Sequence, residues 1–192
     1  QAMVGNYNGW SGNIVTFLEG ITEAVDPGTV VDYTLGCQMN TPGSYYGFWE
    51  ARMADVIILC LGNSKMMEGE EGEAILNPDG GDRTDIRLPE SQWEYARMMR
   101  KKAPEKPIIA VITGGSAIAL QDVLEVADAV ILAWYPGEQG GRALADILFG
   151  KANPSGRLPV TFYKSTDDLP PFDDYSMQGR TYKYFRGEPL FP

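Results

Sequence analysis

Apolar positions along the chain follow two rhythms. Val56–Leu61 (VIILCL), Pro107–Thr113 (PIIAVIT) and Ala129–Trp134 (AVILAW) are apolar at nearly every position. That pattern predicts strands buried on both faces, as in a parallel sheet. Thr29–Thr34 (TVVDYT) is a fourth β-branched run and predicts another strand. Between these runs the spacing becomes helical. Glu90–Lys102 opens after Pro89 and sets Trp93, Ala96 and Met99 or Arg100 on one face. Ala119–Val126 predicts a shorter helix, and Gly140–Phe149 carries Leu144, Ile147 and Leu148 on one side before Gly150 stops it. Thr16–Val25 predicts a weaker helix, interrupted by Gly20. Strand and helix in alternation predict an α/β fold, a mostly parallel sheet sandwiched between helices.

From Ala152 the periodicity breaks into NPSGRLPV, DDLPPFDDYS and GEPLFP. Four prolines between Pro159 and Pro189 forbid a long regular element there. The stretch is too aromatic for a disordered linker, with Phe162, Tyr163, Phe172, Tyr175, Tyr182, Tyr184, Phe185 and Phe191 available for packing. It predicts an extended Pro- and aromatic-rich strap closing a single domain over residues 1–192.

Composition then narrows the chemistry. With 26 acidic and 16 basic residues the formal charge is −10, which repels a polyanion and argues against nucleic acid as a partner. The basic group Arg97, Arg100, Lys101, Lys102 and Lys106 suits the C-terminal end of the predicted helix and reads as a solvated face. No apolar run is long enough to cross a bilayer, so no membrane partner is expected. No signal-peptide pattern is visible at Gln1-Ala2-Met3, and the compartment stays open. The absence of histidine removes Ser-His-Asp and Cys-His catalysis and the commonest zinc ligand. Cys60 sits inside an apolar run and reads as a buried core thiol, while nothing supports a disulfide-built fold. No cofactor or metal is called for, and carboxylates are left to carry any chemistry.

The segment Gly62–Leu88 (GNSKMMEGEEGEAILNPDGGDRTDIRL) follows the C-terminal end of a predicted parallel strand, where open α/β sheets bind ligands. It holds Glu68, Glu70, Glu71 and Glu73 within six residues, with Gly69 and Gly72 between them. On charge pattern alone this is a solvated acidic loop. A calcium loop fits poorly, because Asn77–Asp82 lacks the EF-hand order. The sharper reading is a carboxylate general acid/base, in which crowding pushes one carboxyl's pKa upward so that it can protonate a departing oxygen. Spacing alone leaves open which glutamate that would be. Thr113-Gly114-Gly115-Ser116 looks like a phosphate loop but lacks the Walker lysine, so it reads as a tight turn. Trp10 in GNYNGW could stack a sugar ring, Trp134 reads as core, and Asp82 with Arg83 reads as an internal ion pair.

Glu68-Gly69-Glu70, the GGDR of Gly80–Arg83 and Leu88-Pro89 with Gln92 resemble the acid/base loop of family 3 glycoside hydrolases. Ala133–Gly141 (AWYPGEQGG), Ala143–Gly150 (ALADILFG), Asn153–Phe162 (NPSGRLPVTF), Asp167–Pro170, Asp174-Tyr175 and Gly179–Tyr182 continue the likeness in the family's order over nearly the whole chain. The loop and the GRTYKYF tail look closer to the β-xylosidase and β-glucosidase branches than to the N-acetylglucosaminidase branch. The resemblance implies the α/β sandwich half of a two-domain retaining exo-β-glycosidase. In such an enzyme a (β/α)₈ barrel supplies an aspartate nucleophile, and the sandwich brings a glutamate acid/base to within about 5–5.5 Å of it.

By that likeness Glu68, six residues after Gly62, takes the acid/base role. Glu71, eleven residues before Asp82, is its rival, and Glu70 is third. Met67 and Trp10 are the candidate substrate contacts, and the implied partners are a β-linked oligosaccharide or glycoside and the barrel, in cis or trans. No stretch of this chain matches the barrel. The family's sandwich opens with an apolar strand and a Gly-Pro-Asn turn not found before Ala2-Met3-Val4, and it continues beyond a point matching Leu190-Phe191-Pro192. The chain is therefore expected to be one piece of a longer polypeptide, inactive without the barrel, with an uncovered face that favours a homodimer. The alternative is a stand-alone carbohydrate-binding or interaction module that keeps the fold without the chemistry.

Overall fold

The computed structural model describes residues 2–70 and 72–192; Glu71, one of the three glutamates singled out above, lies outside the described residues. The three uninterrupted apolar runs form the sheet: β1 (Ile57–Gly62), β2 (Ile108–Thr113) and β3 (Ala129–Leu132), all parallel and in the order β1-β2-β3. Ile57 pairs with Ile108 and Gly62 with Thr113, so the C-terminal ends of β1 and β2 are level. Among the described residues Thr29–Thr34 is in no strand, and Val30 and Tyr33 are exposed. Its β-branched residues favour extended backbone, but no neighbouring strand offers the ladder that would make it a sheet member.

Among the described residues there are five α-helices, packed around the sheet and on one another. β1 leads through α3 (Glu90–Lys102) to β2, and β2 through α4 (Gln121–Leu124) to β3. Two successive crossovers in the same direction across a parallel sheet lie on one face, because such connections are right-handed. That face buries Ile57, Leu59 and Leu61 of β1 and Ile108, Ala110 and Ile112 of β2 against Tyr95, Ala96 and Met99 of α3 and Val123 of α4. Ala51 of α2 (Phe48–Met53), a helix the periodicity did not predict, joins the same core. The opposite face packs Val111 against Phe17 and Ile21 of α1 (Phe17–Ala24) and Leu144 of α5 (Gly140–Leu148). The result is the α/β sandwich read from the sequence.

Several local expectations change. The buried stripe of α3 is Gln92, Tyr95, Ala96 and Met99, while Trp93 sits beside it under the Arg97 guanidinium, 4.8 Å from the ring centre. Arg97 and Arg100 are more than a solvated face, since they pair with Asp122 at 2.5 Å and Asp128 at 2.6 Å and tie α3 to α4 and to the entry of β3. Cys60 is exposed, and both cysteines are free thiols. β1 is an edge strand and Cys60 alternates onto the α1/α5 face, where its pairing partner Val111 is buried while Cys60, one strand further out, is exposed. The C-terminal strap has two short 3₁₀ turns, Thr166–Asp168 and Tyr182–Tyr184, and is anchored where Phe162, fully buried, bridges to Phe191. Phe172 and Tyr175 of the strap are exposed.

Gly20 does not interrupt α1, which Thr16 opens with a reciprocal capping box to Glu19. It is where α1 crosses α5. A Cβ on Gly20 would lie 2.1 Å from the Gly141 carbonyl oxygen, and one on Gly141 would lie 2.0 Å from the Thr16 carbonyl oxygen. Backbone on both sides leaves no flexible group to yield. Gly20→Ala is therefore expected to cost about 1–3 kcal/mol through overpacking. Gly12→Ala, whose Cβ meets nothing within 4 Å, is expected to cost far less. Urea denaturation of the two variants measures the difference, and equal midpoints would contradict the close crossing.

Candidate active site

The loop after β1 begins at a glycine that the geometry requires. Gly62 has φ 134°, and a Cβ there would lie 2.1 Å from the Thr113 carbonyl oxygen. Buried Gln92 of α3 serves the open edge of the strand at this residue: its Oε1 accepts from the Gly62 N–H at 2.7 Å, and its Nε2 donates to the Gly62 carbonyl at 2.8 Å. The chain then turns through Asn63 and Ser64, and the Glu68 N–H returns to the Ser64 carbonyl at 3.0 Å. Further along, Leu76 N–H donates to Met66 and Gly72 N–H to Gly80, while Met67, Ala74 and Asn77 are buried. The acidic loop is thus packed on itself, with only part of it facing water.

Its glutamates separate in space. Glu68 turns inward, with 11% of its side chain exposed. Oε1 accepts from Asn63 Nδ2 at 3.0 Å and Ser116 Oγ at 2.6 Å, and Arg83 Nη2 lies 3.4 Å away. Oε2 accepts from the Gly115 N–H at 2.6 Å and the Tyr135 hydroxyl at 2.6 Å. Ser116 Oγ also accepts from Arg83 Nη2 at 2.6 Å, so arginine, serine and carboxylate form a chain. Glu70 and Glu73 are exposed and take hydrogen bonds from Tyr7 and Asn6 of the N-terminal segment. Asp82 is exposed, and the expected Asp82–Arg83 pair is replaced by Arg83–Glu68, because the guanidinium turns into the same enclosed space.

Glu68 belongs to the loop after β1, Gly115 and Ser116 to the turn after β2, and Tyr135 to the turn after β3. All three C-terminal strand ends therefore converge on one carboxylate, at the edge where open α/β sheets place ligands. A left-handed turn at Trp134 (φ 54°), costing about 1–2 kcal/mol for an L-residue, precedes Tyr135. The Trp134 ring is half-buried, edge-on to Phe162 at 6.0 Å, and so is not the core residue the sequence implied. An open cleft of about 340 Å³ lies beside this network, lined by Met67, Glu68, Asp82, Arg83, Ser116 and Tyr135 among others. Met67 is both a cleft wall and a core residue; Trp10 is fully exposed and stands apart from the cleft. Among the described residues no three Asp, Glu or Cys side chains converge as a metal site, and no helix is long and apolar enough to cross a membrane.

Burial works to raise the Glu68 pKa, but the hydrogen bonds from Ser116, Tyr135, Gly115 and Asn63 outweigh it and hold the carboxyl below its ordinary value. The upward push expected from crowded carboxylates is not what Glu68 feels, since donors surround it. Tyr135 is pushed up, by burial first and then by its bond to the Glu68 carboxylate. The sequence reads Gly115 and Ser116 only as a tight turn and Tyr135 only as part of the AWYPGEQGG motif, and it assigns Asn63 no role, so none of the four is expected at the site. Their one shared signal was position, immediately after the ends of the predicted parallel strands.

The family model for the glycosyl hydrolase family 3 C-terminal domain matches residues 1–192. The chain belongs to glycoside hydrolase family 3. Over 137 residues, 71% of this chain and 16% of the relative, it is 50% identical to a xylan 1,4-β-xylosidase of Xylanibacter ruminicola. It is 31% identical to β-D-xylosidase 3 of Arabidopsis thaliana, covering all of this chain and 25% of that protein. Among solved structures, a family 3 exo-β-xylosidase bound to a xylobiose aziridine probe superposes with TM-score 0.77 at 28% identity, over 99% of this chain and 25% of that one. A β-glucosidase from Erythrobacter marinus gives TM-score 0.77 at 30% identity, over 98% and 28%. The chain spans about a quarter or less of these family 3 relatives.

The lowered Glu68 pKa fixes the sign of a pH effect. Its stabilisation is fully present above the unfolded-state value of about 4.3 and is lost as pH falls through the lower folded-state value. Tyr135→Phe removes one donor to a charged acceptor, an expected loss of about 1.5–3 kcal/mol near neutral pH. It also moves the folded pKa back toward the unfolded one, so the gap from wild type should narrow below about pH 4.5. Urea unfolding at both pH values tests this, and a gap independent of pH would show that Tyr135 does not stabilise the ionised carboxylate.

Proposed function

We propose that this domain supplies the general acid/base carboxylate of a retaining, exo-acting β-glycosidase that removes terminal β-linked xylose or glucose. The nucleophile would come from a (β/α)₈ barrel, in cis or trans. The observation that carries the reading is the carboxylate-bearing loop fixed at the C-terminal edge of the sheet, with an open cleft beside it. The acid/base role falls on Glu68, Glu70 or Glu71, which occupy one four-residue stretch. Glycosidic cleavage needs a carboxyl to protonate the leaving oxygen and then, as a carboxylate, to deprotonate water. The names of the relatives, xylosidases and β-glucosidases, support the sugar class. A single carboxylate-bearing half lacks the attacking group, so the domain alone is inactive on this reading.

Aryl β-xylosides and β-glucosides test it. The chain alone is expected to leave them at the background rate, and joining it to a family 3 barrel should restore turnover. Changing Glu68, Glu70 and Glu71 together to Gln should then lower kcat/KM by about 10²- to 10⁴-fold on substrates with poor leaving groups. Full activity of that triple variant, or an inactive joined protein that still binds the glycoside, would overturn the assignment.

A further inference from the structure

We propose that the C-terminal strap carries a second carbohydrate site, a cleft that holds a hexuronic acid residue of an acidic polysaccharide. It shares no lining residue with the cleft beside Glu68. The choice of a sugar rests on the glycosidase reading above; the choice of an acidic one rests on the strap itself.

The strap folds back between its two 3₁₀ turns and leaves a cleft of about 250 Å³. Tyr163, Asp168, Arg180, Tyr184, Phe185 and Arg186 are among the residues that line it. Its walls are held by the strap's own contacts. The Ser165 capping box fixes the first turn, and Tyr184 N–H and Phe185 N–H donate to the Thr181 and Tyr182 carbonyls at 2.9 and 3.2 Å. The Phe185 ring stands edge-on to Tyr163, with 5.0 Å between centres. It also lies over Gly187, where a Cβ would come within 2.5 Å of the ring.

Two guanidinium groups line this cleft on a chain whose formal charge is −10. Neither forms an ion pair among the described residues. Arg180 is half-buried, and its Nη2 reaches only the Pro171 carbonyl, at 3.3 Å. Its Nη1 is shut off from water and has no acceptor among the described residues. Buried donors in native proteins are nearly always paired, so this orphan marks a missing acceptor. The carboxylates of the strap have other partners. Asp168 Oδ2 accepts from Lys164 and Ser165 N–H at 3.1 and 3.2 Å, and Asp174 accepts from Ser176 N–H at 2.9 Å. A carboxylate entering the cleft would draw the Arg180 fork away from Pro171, with exposed Arg186 adding its charge. Arginine suits that pairing, because its planar fork matches two oxygens and its hydration is weak.

A bare anion needs only the arginines. The aromatic walls call for a ligand that has an apolar face as well, and Phe172, Tyr175 and Tyr182 of the same strap are also exposed. A hexuronic acid joins both features in one residue. Its pyranose C–H groups meet the rings and its carboxylate meets the guanidinium fork. Such a site would keep the domain on a polysaccharide decorated with uronic acids.

Titration calorimetry on this chain tests the site with a xylo-oligosaccharide bearing one glucuronic acid. The comparisons are its carboxyl-reduced form, a neutral xylo-oligosaccharide, acetate and an acidic peptide. The uronate is expected to bind at least about 10-fold tighter than any of these, and added salt should weaken it. Arg180→Gln should lower its affinity about 10- to 100-fold, and Arg186→Gln, at the exposed rim, about 2- to 5-fold. In ¹⁵N NMR of the unaltered chain the ligand should shift the Arg180 side-chain signal and leave that of Arg83 unmoved, a readout that needs no variant to fold. Absent binding, or equal binding of the carboxyl-reduced form or of acetate, would overturn the proposal. So would a shift at Arg83 alone, or a tighter acidic peptide, which would make the cleft a protein-docking surface. Turnover by the joined protein reads the acid/base assignment and binding here reads the strap, so the failure of one is distinguishable from the failure of the other.

Discussion

The enclosed charge on Glu68 organises the ligand edge of this domain. Removing a carboxylate from water costs several kcal/mol unless charge and hydrogen bonds replace its hydration. Here the replacement comes from Asn63 on its own loop, from Gly115 and Ser116 after β2, from Tyr135 after β3, and from Arg83 at the far end of the loop. Three parallel strands, each delivering its next residues to the same edge, meet in one anion site filled by the protein's own side chain. The Gly-Gly-Ser turn that resembles a phosphate loop therefore does bind an oxyanion, an internal one.

This arrangement depends on how β1 ends. The strand lies at the edge of the sheet, so its outward backbone groups need partners from elsewhere. The Gln92 amide meets both backbone groups of Gly62 and also donates to the Met39 carbonyl at 2.9 Å, joining α3, the end of β1 and the segment before α2. With Gly62 fixed in a conformation few other residues adopt, Asn63 follows with its N–H on the Thr113 carbonyl at 2.8 Å. The start of the loop is thus registered to β2 before the glutamates are reached.

How much of this was legible beforehand follows from the range of each interaction. β1, β2 and the start of β3, together with α3 and α5, were readable because their signals are local: unbroken apolar runs and three-to-four-residue spacing. Thr29–Thr34 carries the same local signal and fails because strandhood depends on a partner. Gly20 was misread for the converse reason, since its local cost is outweighed by the contact it allows with Gly141. The importance of the acidic loop was legible from its place after a strand and from the Glu-Gly-Glu and GGDR motifs. Its partners were not, because Gly115, Ser116 and Tyr135 stand 47, 48 and 67 residues from Glu68. Each is an ordinary turn residue until the sheet brings the strand ends level.

The same geometry changes what the run of glutamates means. Along the sequence four carboxylates within six residues look like one electrostatic unit that would resist ionisation. In three dimensions the loop turns one of them into a site of donors and leaves Glu70 and Glu73 at the surface, each met by a side chain of the N-terminal segment. Gly69 separates Glu68 from Glu70, so the chain turns directly from an enclosed charge that ties the loop to all three strand ends to a carboxylate that faces solvent.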